Sequence, residues 1–386
     1  MHVSVKKHVW HHHHGEIWHK ITGFLKKNAV LCIAVCAALI TCFIIPPDKA
    51  YLAYFDFKTL TCLFCVLAVV CALRNIRFFT VLARKIVRIF KTTRSSILAL
   101  VYITFLGSML IANDMALLTF LPLGYFVLSS TGKQKYMAFT FIMQNIAANL
   151  GGMLTPFGNP QNLYLYSFFQ IPTGAFVLTM LPPFCISVLL ITLCCMIFVK
   201  KEPLEIHDEP VRLPVARTLV YGLLFALSII IVFHFIPYWI GLIVVPLALL
   251  FLDKKALKQV DYGLLFTFVA FFVFAGNMAR IPAVERLLGG LIAKNPLIVS
   301  AASCQIISNV PSAILLSQFT SDWRGLLVGV NIGGAGTLIA SLASLITFRE
   351  YTSKTHGQTG KYILWFSLFN FGFLFTLTAL EYFIFL

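Results

Sequence analysis

Apolar runs of about 20 residues recur along almost the whole chain, and no other feature limits the possible folds as strongly. A run of this length crosses the hydrocarbon core of a bilayer as one helix. An outer-membrane barrel would instead show alternating segments of roughly ten residues, which this sequence lacks. Since 59% of the 386 residues are hydrophobic and only 11% are charged, a soluble domain does not account for the composition. The sequence therefore predicts an all-α polytopic membrane protein.

The basic residues give the chain a formal net charge of +16 and predict its orientation. A nucleic-acid-binding protein can carry such a charge, but here lysine and arginine lie in short segments between the apolar runs. With the N-terminus in the cytoplasm, 24 of the 30 lysines and arginines fall in predicted cytoplasmic segments. We therefore expect a multi-pass protein of a prokaryotic-type inner (plasma) membrane, with lipid around it and no nucleic-acid partner.

The apolar runs do not all have the length of a simple span. Segments 95–130 and 295–320 carry polar residues at their midpoints, and the charge bias holds only if each returns to the side it entered. They are therefore predicted to be re-entrant hairpins. Segments 136–170 and 323–348 contain glycine, proline or hydroxyl side chains and are predicted to be broken helices. The simple spans are predicted at 29–46, 57–74, 174–199, 216–235, 238–252, 261–279 and 361–385.

Two motifs occur twice, which predicts an internal repeat. "NLGGMLT" from Asn149 matches "NIGGAGT" from Asn331, and "ANDMALL" from Ala112 corresponds in order to "SNVPSAILL" from Ser308. In the predicted topology the two halves have opposite orientations, as in transporters with inverted repeats. The expected organisation is a basic cytoplasmic tail (1–28), a first repeat (29–199), a linker (200–215), a linking helix (216–235) and a second repeat (236–386).

The broken helices are predicted to carry the functional site. Backbone cannot stay unpaired in lipid, so a break at membrane depth is buried in protein or lines a watery cavity. Gly158 lets the chain turn, while Asn159 and Asn162 supply side-chain donors and acceptors. The second break offers Gly336 and Thr337. Close helix packing by small residues is the alternative interpretation, and it accounts well for Ser341 and Ser344 but poorly for the prolines and amides of the first break.

Asp114 is the one acid near the centre of an apolar segment, and it lies beside Asn113 at the first hairpin midpoint. Ser308 and Asn309 hold the corresponding place in the second hairpin. An intramembrane carboxylate is a functional hypothesis by default, and burial suits it to bind and release a proton. The alternative is a structural acid that caps the amides of the tip.

Two features that resemble metal sites are given other interpretations. The ten cysteines all fall in apolar segments and are expected to be small core residues, not disulfides or zinc ligands. The run His11–His14 could bind a metal, but a cloning remnant or a solvated patch explains it as well. No cofactor or metal is therefore predicted, apart from Na⁺ or H⁺ as a coupling ion.

At the hairpin and broken-helix motifs, the chain resembles the ion-transporter superfamily of arsenite permeases, citrate transporters, sodium/proton antiporters and divalent anion–sodium symporters. The resemblance covers roughly residues 50 to 385 and is closest to the arsenite-permease and citrate-transporter branches. The tips read Ala-Asn-Asp and Ser-Asn-Val, not the Ser-Asn-Thr of the anion–sodium symporters, which favours proton coupling. The resemblance implies an elevator mechanism, a homodimer, and a pseudo-symmetric site in which Asn113, Asp114, Thr155, Gly158 and Asn159 face Ser308, Asn309, Gly336 and Thr337.

The expected function is secondary active transport of a small, anionic solute, an inorganic oxyanion or a carboxylate, coupled to protons or sodium. The alternative within transport is a sodium/proton antiporter in which Asp114 binds both cations in competition. A channel is another alternative. An intramembrane enzyme is a further one, but the chain has no H-E-x-x-H, no G-x-S-x-G and no paired deep aspartates.

Overall fold

The computed structural model describes residues 28–204, 213–355 and 357–385. All regular elements in these ranges are helices, accompanied by one isolated β-bridge between Thr92 and Pro203. The run His11–His14, almost all of the predicted tail and half of the predicted linker lie outside the described residues. The helices, in chain order, are α1 (Ala29–Ile44), α2 (Phe57–Asn75), α3 (Phe78–Val87), α4 (Thr93–Ile111), α5 (Asn113–Ser130), α6 (Met137–Gly151), α7 (Pro160–Phe168), α8 (Thr173–Phe198), α9 (Val215–Val232), α10 (Tyr238–Leu252), α11 (Lys254–Gln259), α12 (Tyr262–Ala279), α13 (Pro282–Ile292), α14 (Pro296–Ile307), α15 (Asn309–Leu316), α16 (Trp323–Ile332), α17 (Leu342–Lys354) and α18 (Thr359–Leu380), which continues into a π-helical turn, Glu381–Phe385.

Six helices in the described part of the chain are long and apolar enough to cross a membrane, or seven if α13 and α14, bent by 119°, count as one span. Many of the exposed side chains on these helices are large and apolar, such as Leu178 and Phe375. Such surfaces suit a lipid environment and not water. The all-α multi-pass architecture predicted from the sequence is therefore confirmed.

The first of two compact units comprises residues up to Phe55 and Asp261–Ile281. In it α1 packs along α12, and Gly276 of α12 lies so close to the Tyr54 ring that an added Cβ would be 2.5 Å from it. The Arg280 guanidinium binds both carboxylate oxygens of Asp48, at 3.1 and 2.6 Å, and holds the pKa of Asp48 below its usual value. This pair ties the segment after α1 to the end of α12.

The second unit comprises Asp56–Val260 and Pro282–Leu386. Its helices form two groups by contact: α2 packs with α9, α10 and α11, whereas α4 to α8 pack among themselves and with α14 to α18. Helix α2 also contacts α4 and α7 of the second group. Helix α3 is amphipathic and buries one face, which includes Phe79 and Val87. It follows α2 in the chain and packs against α4 and α5.

Both predicted hairpins are pairs of helices joined by a single residue. Ala112 joins α4 to α5 with φ 63° and ψ 153°, and Ser308 joins α14 to α15 with φ 74° and ψ 161°. Positive φ with extended ψ is a conformation that residues with a Cβ rarely adopt, so each tip stores backbone strain. The two tips therefore have the same unusual geometry.

Both predicted broken helices are interrupted in the middle. Helix α6 ends at Gly151 and α7 begins at Pro160, whose missing N–H costs nothing at a first helical position. Helix α16 ends at Ile332 and α17 begins at Leu342, with Ser341 as its N-cap. An added Cβ at Gly151 would lie 2.2 Å from the carbonyl oxygen of Phe105, so only glycine lets α6 approach α4 this closely.

A short extended segment that follows α8 and contains Glu202 is bonded to the start of the first hairpin. Thr93 donates its backbone N–H to the Glu202 carbonyl oxygen at 2.8 Å. The Glu202 carboxylate binds Lys133 at 2.5 Å and Lys135 at 2.9 Å. These hydrogen bonds, Lys133 first, lower the pKa of Glu202 from 4.5 to about 2. The ion pairs hold the polar end of this segment in place.

The ten cysteines all lie in the described residues and are free thiols. Packing explains the buried ones, for example Cys62 and Cys304. The prediction that all ten are core residues is wrong for Cys36 and Cys185, which are exposed on α1 and α8 because those faces of the helices have no protein neighbour.

Candidate functional site

The two hairpin tips present the same hydrogen bond. The Asn113 side-chain oxygen accepts from the Asp114 backbone N–H at 2.9 Å, and Asn309 accepts from Val310 in the same way at 2.9 Å. Both asparagines are 3% exposed. Each tip asparagine thus satisfies a first-turn donor of its own helix and points its amide nitrogen inward.

Each break is also tied to the hairpin of its own half. The Thr155 hydroxyl donates to the Met109 carbonyl oxygen at 2.7 Å, and the Thr337 hydroxyl donates to the Gln305 carbonyl oxygen at 3.1 Å. Met109 and Gln305 both lie three residues before their tip residue. The two predicted threonines therefore have equivalent roles, but each contacts its own half and not the other.

The two broken helices hold each other by reciprocal hydrogen bonds. Asn159, the residue before α7, donates to the Asn331 side-chain oxygen at 3.1 Å. Ser341, the residue before α17, donates to the Asn149 side-chain oxygen at 2.8 Å. Asn149 and Asn331 occupy the same position in the two repeated motifs, as do Asn159 and Ser341 relative to the helix that follows. The two breaks are therefore joined, where they cross, by two hydrogen bonds, one donated from each break.

Further hydrogen bonds connect the tips to this crossing. Asn113 donates to the Asn149 side-chain oxygen at 3.2 Å, and the Asn309 backbone N–H donates to the Ala340 carbonyl oxygen at 2.9 Å. Asn159 also reaches the Asn149 carbonyl oxygen, at 3.2 Å. We name the set the amide cluster; its members are Asn113, Asn149, Asn159, Asn309, Asn331 and Ser341.

The amide cluster gathers the N-termini of four helices. These are α5 and α15 from the hairpins and α7 and α17 from the breaks. A helix N-terminus has unpaired backbone N–H groups and carries a partial positive charge of roughly half a unit. Asp114, half-buried in α5, is the only carboxyl group in the first turns of the four helices. The site therefore combines neutral amides, four positive helix ends and one acid.

A second group of buried polar side chains is centred on Asn145, which lies one turn before Asn149 in α6. The Asn145 amide donates to the Asn370 side-chain oxygen at 3.3 Å, and the Thr347 hydroxyl donates to the Asn145 side-chain oxygen at 3.5 Å. All three side chains are fully buried. Their hydrogen bonds link α6 to α17 and α18 and hold α6 in position next to the amide cluster.

Gly158 and Gly336 shape their own break, whereas Asn162 both shapes its own break and bonds the opposite half. An added Cβ at Gly158 would lie 2.3 Å from the Gly152 carbonyl oxygen, so this glycine is needed for the turn to close. Gly336 has φ +123° and packs on the Gln305 side chain. The Asn162 amide donates to three carbonyl oxygens of the first break, each at 3.2 Å, and accepts from Asn331 at 2.6 Å.

Four residues of the crossing were not among the predicted site residues. Asn149 and Asn331 stood in the two motifs that were compared, and their equivalent positions were the signal that could have identified them, whereas Gln161 lies outside both motifs. Ser341 was interpreted as a packing residue, whereas it caps α17 and binds Asn149. A further acid is also deeply buried: Glu381, at the end of the last span, is 1% exposed.

Comparison with known proteins gives three similarities. A family model described as a citrate transporter matches residues 17–321. A protein of Methanocaldococcus jannaschii, named an uncharacterized transporter, is 33% identical over 315 residues, which cover 80% of this chain and 84% of that protein. The inner membrane protein YbiR of Escherichia coli is 29% identical over 317 residues, which cover 80% of this chain and 83% of YbiR. These similarities confirm the resemblance that the motifs indicated, and the family match includes both hairpins and the first break.

Proposed function

Because the chain belongs to the citrate transporter family, we propose that this membrane transporter carries a small anionic solute, a carboxylate or an inorganic oxyanion, by secondary active transport. One observation supports an anion above all: four helix N-termini meet at the amide cluster. Partial positive charges and unpaired backbone N–H groups at a helix N-terminus bind anions without a charged side chain. Neutral amides complete such a site with donors that do not trap the anion.

Coupling to protons is assigned to Asp114. This carboxyl group lies on α5 immediately after Asn113 and is half-buried. A protonated Asp114 leaves the positive helix ends free to hold the anion, and an ionised Asp114 repels it. Binding of the proton therefore raises the affinity for the anion, and binding of the anion raises the affinity for the proton, as symport requires.

Coupling to sodium, or sodium/proton antiport, is the second candidate, and one observation favours it. The side-chain oxygens of Asn159 and Gln161 are buried and have no hydrogen-bond partner among the described residues. Carbonyl oxygens are the ligands that hard cations prefer. In this alternative the two oxygens would bind Na⁺ beside the crossing, and Asp114 would compensate its charge.

The mechanism we propose is an elevator built on inverted repeats. It is supported by the equivalent bonds of the two tips, the two threonines and the two breaks. The group α4 to α8 with α14 to α18 would move as one body that carries the amide cluster, along the group formed by α2, α9, α10 and α11. The repeats would be 29–199 and 236–386, linked by 200–215 and 216–235.

We further propose a homodimer in the inner membrane with a cytoplasmic N-terminus. The membrane assignment is supported by the name of the relative from Escherichia coli. The orientation is supported by the distribution of lysine and arginine. The substitution Asp114→Asn tests the proton coupling whether or not the protein is a homodimer.

The test is solute-driven proton movement in proteoliposomes, followed with a pH-sensitive dye. Citrate, succinate, sulfate, arsenite and sodium are tried in turn with wild type, Asp114→Asn and the control Glu285→Gln, an acid exposed on α13. The proposal expects an anion to move protons in wild type and in the control but not in Asp114→Asn. A signal with sodium alone would favour the antiporter. Equal responses of wild type and Asp114→Asn would remove Asp114 from the mechanism.

A further inference from the structure

Glu381 is a buried acid that the proposed transport mechanism does not use. It follows α18 directly and begins the π-helical turn Glu381–Phe385, and its side chain is 1% exposed. One of its carboxyl oxygens is buried and has no hydrogen-bond partner among the described residues. An ionisable side chain within a membrane-spanning segment is costly to bury and indicates a functional site by default. Short π-helical segments also occur frequently at functional sites.

No positive charge near this carboxyl group compensates it within the described part of the chain. The turn packs against α8 and α18. Lys361, the only basic residue of these two helices, lies 20 residues before Glu381, which is roughly 30 Å along the helix. The titratable side chains of α8, α18 and the turn, other than Glu381, are Lys361, Tyr362, Tyr382, Cys185, Cys194 and Cys195, of which only lysine is ordinarily charged at neutral pH.

The other neighbours of α18 bring no counter-charge either. Helices α6 and α14 pack on α18 and have no charged residue. Arg324 of α16 is exposed and lies over the ring of its neighbour Trp323, at 5.2 Å. Helix α17 meets α18 at Tyr362, near the opposite end of α18 from the acid. An ionised carboxylate at this position would therefore be a buried, unpaired charge, which is costly.

Glu381 lies beside the part of α8 that contains two prolines. Phe198, at the end of α8, packs against Trp365 and Phe369 of α18, with ring-centre distances of 6.1 and 5.1 Å. Since the turn after α18 also contacts α8, the two helices run antiparallel. Glu381 follows the two α18 rings by 16 and 12 residues, and the same count back from Phe198 reaches residues 182–186. The acid is therefore level with this part of α8.

The prolines make this part of α8 rich in hydrogen-bond acceptors. Pro182 and Pro183 have no N–H, so the carbonyl oxygens four residues before them lose their usual partners in the helix. Thr378, one turn before the acid in α18, has a buried hydroxyl oxygen without a partner among the described residues, and this oxygen can also accept. An ionised carboxylate only accepts hydrogen bonds, whereas a protonated carboxyl group donates one. The protonated form therefore fits these surroundings.

We propose that Glu381 is a proton-binding site at the end of α18, separate from Asp114 and from the amide cluster. The bound proton removes the negative charge from a buried position. It also gives the carboxyl group a hydrogen to donate to a carbonyl oxygen of α8 or to the Thr378 hydroxyl. Release of the proton would leave an unpaired charge between α8 and α18, so the proton stabilises the packing of these two helices. The site does not depend on the proposed transport function.

Infrared difference spectroscopy of the full chain in maltoside micelles, which contain no ester carbonyl groups, tests the protonation directly. Glu381→Gln keeps the shape of the carboxyl group, and the matched control Glu285→Gln removes an exposed acid of α13. At neutral pH, wild type minus Glu381→Gln should show the carbonyl band of a protonated carboxyl group, which moves to lower frequency in D₂O. Wild type minus Glu285→Gln should show the bands of an ionised carboxylate.

The melting temperature as a function of pH gives a second readout that does not involve transport. The folded protein would hold this proton at a pH at which the unfolded chain releases it. Wild type should therefore lose stability relative to Glu381→Gln as the pH rises from about 5 to about 9, and Glu285→Gln should behave like wild type.

Three results would overturn the proposal. The first is carboxylate bands for Glu381 at neutral pH. The second is the same pH dependence of the melting temperature in wild type and Glu381→Gln. The third is a wild-type melting temperature that rises with Na⁺ while that of Glu381→Gln does not, since the site would then bind a metal cation in place of the proton.

Discussion

Asn331 binds three side chains of the first break, so its removal tests the crossing of the two broken helices directly. Its side-chain oxygen accepts from Asn159 at 3.1 Å and from Gln161 at 3.4 Å, and its amide nitrogen donates to Asn162 at 2.6 Å. Asn331→Ala removes all three bonds in a place that is 1% exposed. Asn159 keeps its second bond, to the Asn149 carbonyl oxygen. The Gln161 nitrogen and the Asn162 oxygen keep none that the structure describes.

The expected cost follows from these two orphaned groups. A buried polar group that loses its partner costs about 1–3 kcal/mol, so two of them lower the free energy of unfolding by roughly 2–6 kcal/mol. The matched control is Ser228→Ala on α9. Ser228 is also 1% exposed, but its hydroxyl only donates to the Leu224 carbonyl oxygen of its own helix, at 2.9 Å. Its removal leaves no donor without an acceptor and should cost less than about 1 kcal/mol.

Equilibrium unfolding in detergent micelles measures both variants. A double-mutant cycle then isolates the contact: Asn162→Ala should cost less in the Asn331→Ala background, with a coupling energy of about 0.5–3 kcal/mol. If Asn331→Ala is no more harmful than Ser228→Ala, and the coupling energy is zero, the reciprocal bonds do not stabilise the crossing and the reasoning is refuted.

Three further substitutions test other parts of the fold. Gly151→Ala should lower the thermal stability in detergent by the equivalent of about 1–3 kcal/mol or more, because its Cβ would meet the Phe105 carbonyl oxygen, whereas Gly222→Ala, with nothing within 4 Å, should be neutral or stabilising. Ala112→Gly should raise the thermal stability, by up to about 1–3 kcal/mol, because glycine adopts φ 63° with extended ψ without strain; a loss of stability would contradict this. Glu202→Gln should lower the melting temperature above about pH 4.5, and the difference from wild type should vanish as the pH falls towards about 2, because the lowered pKa makes the stabilisation depend on the ionised carboxylate; a difference independent of pH would contradict it.

The spans were predictable because hydrophobic length alone determines them. The predicted span 238–252 coincides with α10 (Tyr238–Leu252). Helix α1 ends at Ile44 and not at the predicted residue 46, because Pro46 restricts the residue before it and ends the helical pattern early. Glycine and proline likewise indicated where the long segment 136–170 is interrupted, between Gly151 and Pro160.

The contacts across the site were not predictable from one sequence. Ser341 binds Asn149 over 192 residues of chain, and nothing local to either residue indicates its partner. The positions of the hairpin tips were predicted, but their backbone conformation was not, since Ala112 and Ser308 take a conformation usually reserved for glycine. The first compact unit joins residues up to Phe55 with Asp261–Ile281 through packing of α1 on α12, and no sequence motif indicated this packing.

The reciprocal bonding of the breaks has a consequence for how the protein is made. Asn149 leaves the ribosome 192 residues before Ser341, which at about 5–20 residues per second is a delay of roughly 10–40 s. For most of this time the Gln161 nitrogen and the Asn162 oxygen lack the Asn331 side chain that later bonds them, and lipid does not pair with them. The first half of the nascent chain must therefore remain in a hydrated or protein-lined environment. Its integration into the bilayer is complete only after the second half has been synthesised.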